Sequence, residues 1–128
     1  MKQIWYAVFI IVVGITGYGV WKGYQQPSEP SGPGKYDAFA LCLTEKGVVM
    51  YGAEWCPHCQ NQKKQFGSSF QYVAYVECPE EPKVCLDKNI TGYPTWVFAD
   101  GTRLEGEQSL LHLSDRSGCA LSQGGESP

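Results

Sequence analysis

The stretch Ala53-Glu54-Trp55-Cys56-Pro57-His58-Cys59 decides the fold of this chain. It follows a short apolar run, 48–53, of the kind that forms a central buried strand. It leads into a segment with the composition of a helix, which Gly67 is predicted to end. Two cysteines separated by two residues therefore stand where a strand passes into a helix.

This position predicts thiol chemistry. A sulfur at a helix N-terminus faces backbone N–H groups without partners and the positive end of the dipole, so Cys56 is the expected attacking thiolate. Cys59 lies one turn along the helix, is expected to be more buried, and would be the resolving thiol. Pro57 suits the first helical turn, where its missing N–H costs nothing. His58 adds a donor that favours the thiolate and a more oxidising disulfide, and Trp55 offers an exposed aromatic surface.

The rival interpretation of these cysteines is half of a zinc site. A zinc ribbon needs two tight pairs, whereas the next cysteines, Cys78 and Cys85, are separated by six residues. The preceding strand and the proline inside the motif also argue against zinc. We therefore expect a redox site that needs no metal and no cofactor.

A second element is Gly92-Tyr93-Pro94-Thr95, roughly 35 residues after the cysteine pair. Proline cannot donate to a strand ladder, so Pro94 is expected at a strand start or in a cis turn. On its own this segment would be interpreted as an ordinary turn.

The remaining pattern predicts an α/β domain. Helices are expected at 36–45, 56–66, 80–89 and 109–115, and strands at 48–53, 72–77, 95–99 and 102–105. Asp100-Gly101 predicts the hairpin between the last two strands, and Ser109 is a candidate cap for the last helix. This order predicts a mixed central sheet with helices on both faces.

Together these residues resemble the thioredoxin fold in kind, order and spacing. That resemblance implies that Pro94 is a cis-proline, preceded by Tyr93, that lies against the active-site cysteines, and that the adjacent backbone pairs with the substrate chain. More narrowly, residues 42–60 and Ser117-Gly118-Cys119 are similar to the thioredoxin-like domain fused to, or partnered with, bacterial homologues of vitamin K epoxide reductase.

The chain also departs from that family. Met50 stands six residues before Cys56, where thioredoxin has a buried acid that accepts a proton. The sequence leaves no room for a convincing strand before the first helix. Pro57-His58 is the dipeptide of the periplasmic dithiol oxidases of this superfamily, but their large helical insertion is missing, so a large peptide-binding groove is not expected.

The N-terminal segment is predicted to determine where in the cell the domain lies. Residues 4–21 are uncharged, would span about 27 Å as a helix, and nearly match a ~30 Å hydrocarbon core. We interpret 1–22 as a transmembrane anchor with its N-terminus in the cytoplasm; a cleaved signal peptide is the alternative. Residues 23–34 are then a Pro/Ser/Gly-rich tether, 35–121 an extracytoplasmic thioredoxin-like domain, and 122–128 a disordered tail.

Composition adds two constraints. The net charge of −3 excludes a nucleic-acid binder that depends on phosphate contacts. Six cysteines in 128 residues suggest that disulfides stabilise a small core outside the cytoplasm. Cys42, Cys78, Cys85 and Cys119 allow three pairings.

Of these, Cys78–Cys85 would close a short loop, and Cys42–Cys119 would tie the first helix to the last. The second pairing is the less secure, because the standard topology puts those helices on opposite sheet faces. A second redox pair that relays electrons is the alternative to structural disulfides.

Several polar and aromatic residues are assigned no chemistry. Tyr72 and Tyr75 are expected on opposite faces of one strand, as packing residues. Glu77, Glu80 and Glu81 are interpreted as a solvated acidic face. His112 and Glu54 are expected at the surface.

The sequence thus predicts a membrane-anchored, extracytoplasmic thiol–disulfide oxidoreductase that acts on protein thiols, in oxidative folding. The resemblance implies a quinone-linked membrane thiol oxidase of the vitamin K epoxide reductase type as its partner. A reductase or isomerase using the same residues is one alternative. A non-catalytic metal-binding thioredoxin-like module is the other.

Overall fold

The computed structural model describes residues 33–122, so the predictions for 1–32 and for 123–128 lie outside the described residues. The helices are α1 (Asp37–Glu45), α2 (Pro57–Phe66), α3 (Pro82–Asp87) and α4 (Leu110–Ser117), with a 3₁₀ helix at Gly67–Tyr72. The strands are β1 (Val49–Gly52), β2 (Ala74–Glu77), β3 (Thr95–Val97) and β4 (Arg103–Glu105). Within 33–122 no helix is both long enough and apolar enough to span a bilayer.

The four strands form one mixed sheet, as predicted, and their order is β2-β1-β3-β4. β1 and β2 are parallel, whereas β1–β3 and β3–β4 are antiparallel. The β1–β2 register sets Met50 beside Tyr75 and Gly52 beside Glu77. Because alternate residues of a strand share a face, these four side-chain positions lie on one side of the sheet.

Along β1 and β3, successive side chains point alternately into two buried clusters, one on each face of the sheet. Met50 and Trp96 belong to the larger cluster, and the next residues, Tyr51 and Val97, belong to the smaller one. The larger cluster receives residues of α1, α2 and α4, and the smaller one receives Cys85 of α3. Helices therefore cover both faces of the sheet, as the sequence predicted.

The expectation that the first and last helices lie on opposite faces is wrong. Phe39 and Leu43 of α1 share the larger cluster with Leu113 of α4. The Phe39 ring stacks on Phe66 of α2, with ring centroids 5.9 Å apart. This packing fixes α1 on the same face as α4, and the Cys42–Cys119 disulfide joins α1 to the segment that directly follows α4.

The boundaries of the elements follow local signals. Pro57 begins α2, and Gly67 ends it with a φ of 59° that favours glycine. Ser109 caps α4 by accepting a hydrogen bond from the His112 N–H at 3.1 Å. The Asp100-Gly101 turn joins β3 to β4, with Gly101 at a φ of 82°.

The prediction for residues 72–77 was partly wrong. The strand begins at Ala74, and Tyr72 belongs to the preceding 3₁₀ helix. Tyr72 and Tyr75 therefore do not occupy two faces of one strand. Within the described residues no strand precedes α1.

Two disulfides form, Cys42–Cys119 and Cys78–Cys85, with sequence separations of 77 and 7 residues. In the chain-entropy account the longer loop contributes about 4.5 kcal/mol and the shorter about 2.4 kcal/mol. Replacing Cys42 and Cys119 by alanine should therefore lower the free energy of unfolding more than replacing Cys78 and Cys85. Urea unfolding of both double variants measures this order, and the reverse order would show that native packing, not loop length, governs the difference.

Candidate active site

Cys56 and Cys59 lie at the start of α2 as free thiols. Cys56 occupies the N-cap position, and its carbonyl accepts the first helical hydrogen bond, from the Gln60 N–H at 3.1 Å. Cys56 retains 6% exposure, whereas Cys59 has none. An incoming disulfide can therefore reach Cys56 first, and Cys59 can react only with a sulfur already attached at Cys56.

Glycine at position 52 makes the burial of Cys59 possible. A β-carbon on Gly52 would lie 2.9 Å from the Cys59 sulfur and 3.1 Å from Cε2 of Tyr75. Real β-carbons essentially never approach so closely, so the end of β1 must lack a side chain here. Any larger residue would displace the sulfur or the tyrosine ring.

The second predicted element lies against the dithiol. The Tyr93–Pro94 peptide bond is cis. The Cys56 sulfur lies 3.7 Å from the Tyr93 carbonyl oxygen and donates a weak hydrogen bond to it. The Trp55 ring meets the Tyr93 ring edge-on, at 6.1 Å between centroids, and remains 68% exposed. The structure thus brings together Trp55, Cys56, Pro57, His58, Cys59, Tyr93 and Pro94, the seven residues that the sequence placed in the site.

The two cysteines differ in chemistry as well as in exposure. Burial raises the pKa of the Cys59 thiol to about 11, and its hydrogen bond with Cys56 and the proximity of Cys56 add to the rise. The backbone of Ala53 and the charge of Lys63 oppose this rise in pKa only in part. At neutral pH Cys59 is therefore a protonated thiol, which must lose its proton before it can act as a nucleophile.

His58 is held by a residue from across the domain. Its Nδ1 lies 2.6 Å from Oε1 of Glu107, in the segment before α4. The His58 hydrogen bond lowers the pKa of the Glu107 carboxyl, and a hydrogen bond from Asn61 acts in the same direction. The imidazole is thus held by a carboxylate that the sequence pattern did not indicate.

Tyr75 and Glu77 also lie at the site, although the sequence pattern assigned them no chemistry. The Tyr75 hydroxyl donates a hydrogen bond to Oε2 of Glu77. Oε1 of Glu77 accepts another from the Glu54 N–H at 2.8 Å, one residue before Trp55. Glu77 is half-buried rather than part of a solvated face, and the position of Glu54 at the surface is as expected. The parallel β1–β2 register brings Glu77 here, which no local motif could indicate.

Gln62 fixes the orientation of α2 and was also missed. It is fully buried, and its Oε1 accepts hydrogen bonds from the Gln108 N–H at 2.7 Å and the Trp96 indole at 3.3 Å. Its Nε2 donates to the Gln108 carbonyl at 2.9 Å. The signal available in the sequence was its position, one turn after Cys59 on the inward face of the helix.

The other four cysteines form the two disulfides and do not belong to the dithiol. Among residues 33–122, no three His, Cys, Asp or Glu side chains are grouped as metal ligands would be.

A dithiol at the N-terminus of a helix, beside a cis-proline and a mixed four-stranded sheet, defines a thiol–disulfide redox domain. The Thioredoxin family model matches residues 34–110. The chain belongs to the thioredoxin family.

Curated relatives agree with this family. Thiol-disulfide oxidoreductase LTO1 of Arabidopsis thaliana is 39% identical over 98 residues, which cover 70% of this chain and 26% of that protein. Protein disulfide isomerase-like 2-2 of Oryza sativa subsp. japonica is 32% identical over 82 residues, covering 53% of this chain and 22% of that protein. Mitochondrial thioredoxin 3 of Saccharomyces cerevisiae, in its oxidised crystal form, aligns with a TM-score of 0.46 and 20% identity over 56% of this chain and 74% of that chain. The chain thus spans about a quarter of the length of the curated relatives it matches.

The difference between the thiols predicts an order of modification. In the reduced protein, iodoacetamide at pH 7 should modify Cys56 alone, because Cys59 is buried and its pKa is about 11. Modification of Cys59 in a Cys56→Ser variant should rise about tenfold per pH unit above pH 7. Peptide mass mapping measures both rates, and equal labelling of the two cysteines at pH 7 would contradict the prediction.

The histidine predicts a small change in redox potential. His58→Ala should make the Cys56–Cys59 disulfide less oxidising, because the reduced form loses the donor that His58 adds at the helix N-terminus. The His58 side chain is 71% exposed, so the loss should not exceed about 1 kcal/mol, or about 20 mV. Equilibration with glutathione buffers measures the potential. His112→Ala, at the exposed other histidine, is the matched control, and a more oxidising His58→Ala variant would refute the assigned role.

Proposed function

We propose that the chain is a membrane-anchored, extracytoplasmic thiol–disulfide oxidoreductase that acts in oxidative protein folding. Its disulfide would accept electrons from protein thiols, and a membrane thiol oxidase would then reoxidise it. The observation that carries the chemistry is the contrast between Cys56, which is reachable, and Cys59, which is fully buried. The printed names of the relatives, a thiol-disulfide oxidoreductase and a protein disulfide isomerase, support the same class.

The reaction proceeds through mixed disulfides. A substrate thiolate attacks the Cys56 sulfur, the Cys56–Cys59 bond breaks, and Cys59 leaves and takes up a proton. A second substrate thiolate then attacks the first substrate sulfur and releases Cys56. Two electrons and two protons pass from the substrate dithiol to the domain, and the substrate gains one disulfide.

Reoxidation runs the same chemistry against a partner disulfide. The Cys56 thiolate attacks one partner sulfur and forms a mixed disulfide, and the other partner sulfur leaves as a thiol. Cys59 loses its proton, attacks Cys56, and restores the internal disulfide. The partner is left as a dithiol, whose electrons a quinone would accept.

The features around the dithiol suit a broad set of protein substrates. Trp55 offers an exposed ring beside the reactive sulfur, and Tyr93 supports that ring edge-on. Between α2 and Pro94 the chain has only a 3₁₀ helix, β2 and the short α3. The surface next to Cys56 is therefore open rather than enclosed by an inserted domain.

The compartment is proposed from the sequence and from the disulfides. Two disulfides outside the active site suit an oxidising environment. The uncharged run 4–21 supports an anchor, and the composition of 23–34 supports a tether with a reach of about 20 Å. A domain on such a tether would meet partners whose cysteines lie near the extracytoplasmic surface of the membrane. The resemblance to domains associated with vitamin K epoxide reductase homologues supports such an enzyme as the oxidase.

The same residues would also serve a reductase or an isomerase, and the name of the Oryza sativa relative favours keeping the isomerase in view. The reduction potential separates these functions, because an oxidase needs a more oxidising disulfide than a reductase. The metal content of protein purified with and without reductant separates the oxidase, reductase and isomerase functions from a metal-binding module.

A trapping experiment tests the partner. Full-length Cys59→Ser protein in its own membranes should accumulate mixed disulfides through Cys56, because the group that resolves them is missing. We expect a polytopic membrane thiol protein among the trapped complexes, isolated without reductant and identified by mass. Cys56→Ser is the matched control, since it removes the nucleophile and should trap nothing.

If only soluble secreted proteins are trapped, and the native pair stays oxidised in membranes depleted of quinone, the proposed oxidase is wrong. The intact mass of detergent-extracted protein tests the anchor separately. A mature N-terminus near Tyr18 or Val20 would show that residues 1–22 act as a cleaved signal.

A further inference from the structure

Cys59 must exchange a proton in both half-reactions, yet it is sealed from solvent. It gains a proton when it leaves Cys56 and loses one when it attacks a mixed disulfide. Its exposure is zero, and burial raises its pKa to about 11. A proton acceptor inside the domain is therefore needed for rapid turnover at neutral pH.

The strand that leads into the active site supplies no such group. Met50 is the buried residue of β1 that faces the larger core, and it cannot accept a proton. The β1–β2 register places Tyr75 directly beside Met50 on the neighbouring strand. Of the two residues paired with Met50, Trp96 of β3 and Tyr75 of β2, Tyr75 is the one that carries a hydroxyl group.

The Tyr75 hydroxyl lies close to the Cys59 sulfur. Both border the space where a β-carbon of Gly52 would lie, the sulfur at 2.9 Å from that point and the hydroxyl oxygen at 3.3 Å. Because Gly52 has no side chain, no side-chain atom of that residue separates the two groups. The tyrosine ring is fixed by an edge-on contact with Phe70, at 5.7 Å between centroids.

Glu77 continues the path toward the surface. The Tyr75 hydroxyl donates to Oε2 of Glu77, and the Glu54 N–H donates to Oε1. Two donors thus hold the carboxylate in place. Burial raises the pKa of Tyr75, and the hydrogen bond to Glu77 raises it further, so the tyrosine stays neutral and can only pass a proton on.

Other charged or titratable groups adjoin this path. From α2, the Lys63 ammonium lies 4.0 Å from the Tyr75 ring centroid. Two more groups belong to the active-site motif itself. They are Glu54, in the segment after β1, and Cys56. An ammonium group has no free lone pair, and Cys56 is occupied by the substrate sulfur when Cys59 reacts. Of the groups joined to Tyr75 by a hydrogen bond, Glu77 is the one that can accept a proton.

We propose that Tyr75 and Glu77 form a proton relay for Cys59, in place of a buried acid on the first strand. When Cys59 attacks a mixed disulfide, its thiol proton passes to the Tyr75 oxygen as the Tyr75 hydroxyl proton passes to Glu77. The new bond joins Cys59 to Cys56, and the bond from Cys56 to the partner sulfur breaks. The partner sulfur leaves as a thiolate, and Glu77 afterwards releases its proton to water. When Cys59 is the leaving group, each proton moves the other way.

The proposal rests on the proposed function for its chemistry, and oxidised glutathione tests it without any protein partner. Reduced full-length protein should form a Cys56–glutathione disulfide, which Cys59 then resolves. Acid quenching and intact mass follow both steps. Tyr75→Phe keeps the ring but removes the hydroxyl, and Glu77→Gln keeps an acceptor oxygen but cannot accept the proton. Each should slow resolution at pH 7 by about 10- to 100-fold and leave mixed-disulfide formation unchanged.

The pH profile separates a relay from a packing effect. Without the relay, solvent hydroxide must deprotonate Cys59, whose pKa is about 11, so resolution in Tyr75→Phe should rise about tenfold per pH unit. It should therefore reach the native rate about one to two pH units above pH 7. A packing defect would slow resolution equally at every pH. Tyr72→Phe and Glu80→Gln remove the same groups from exposed positions and should match the native protein.

Native-like resolution at pH 7 in both Tyr75→Phe and Glu77→Gln, or a loss that does not recover with pH, would overturn the relay. Those outcomes leave the oxidoreductase proposal intact, because the native protein would still react with glutathione. Failure of the native protein to form or resolve the mixed disulfide would instead refute the proposed function.

Discussion

The burial of the Cys59 sulfur is the constraint on which the rest of the site depends. With no exposed surface, Cys59 cannot compete with Cys56 for an external disulfide, so the order of attack and resolution is built into the packing. That packing requires glycine at the end of β1, since a β-carbon there would lie 2.9 Å from the sulfur. It also requires α2 to approach the sheet closely, which the buried Gln62 secures through its hydrogen bonds to Trp96 and Gln108.

Burial creates a second requirement. A sulfur with a pKa raised to about 11 needs help to ionise at neutral pH. In β1, Gly52 provides the space for the sulfur, but Met50 is apolar. The polar groups must therefore come from a neighbouring element. The parallel pairing with β2 puts Tyr75 beside Met50 and Glu77 beside Gly52. One register thus determines both the shape of the pocket and the polar groups that border it.

What the sequence could predict was the part of the site carried by local signals. The cysteine motif, Pro57 at the helix start, the hairpin at Asp100-Gly101 and the cap at Ser109 each depend on neighbours a few residues away. Tyr75 and Glu77 could not be recognised, because their role arises from pairing with a strand more than twenty residues earlier. The side of the sheet that α1 occupies was mispredicted for a similar reason, since the contact of Phe39 with Phe66 decides it. Tertiary pairing carries information that periodicity alone does not contain.

The two sulfurs of one short motif need opposite surroundings, and the fold separates the elements that provide them. Around Cys56 lie Trp55 and His58 from the cysteine motif. Tyr93 and Glu107, the partner of His58, come from loops. Cys59 is shaped by Gly52, Tyr75 and Glu77, which lie on the paired strands β1 and β2. Loop residues can therefore change the affinity for partners without altering the side chains that lie around Cys59. Residues on the strands can change the rate of resolution without altering what Cys56 attacks. The two sets share no side chain, and they meet at the contact between Cys56 and Cys59, through which Cys56 raises the pKa of the buried thiol.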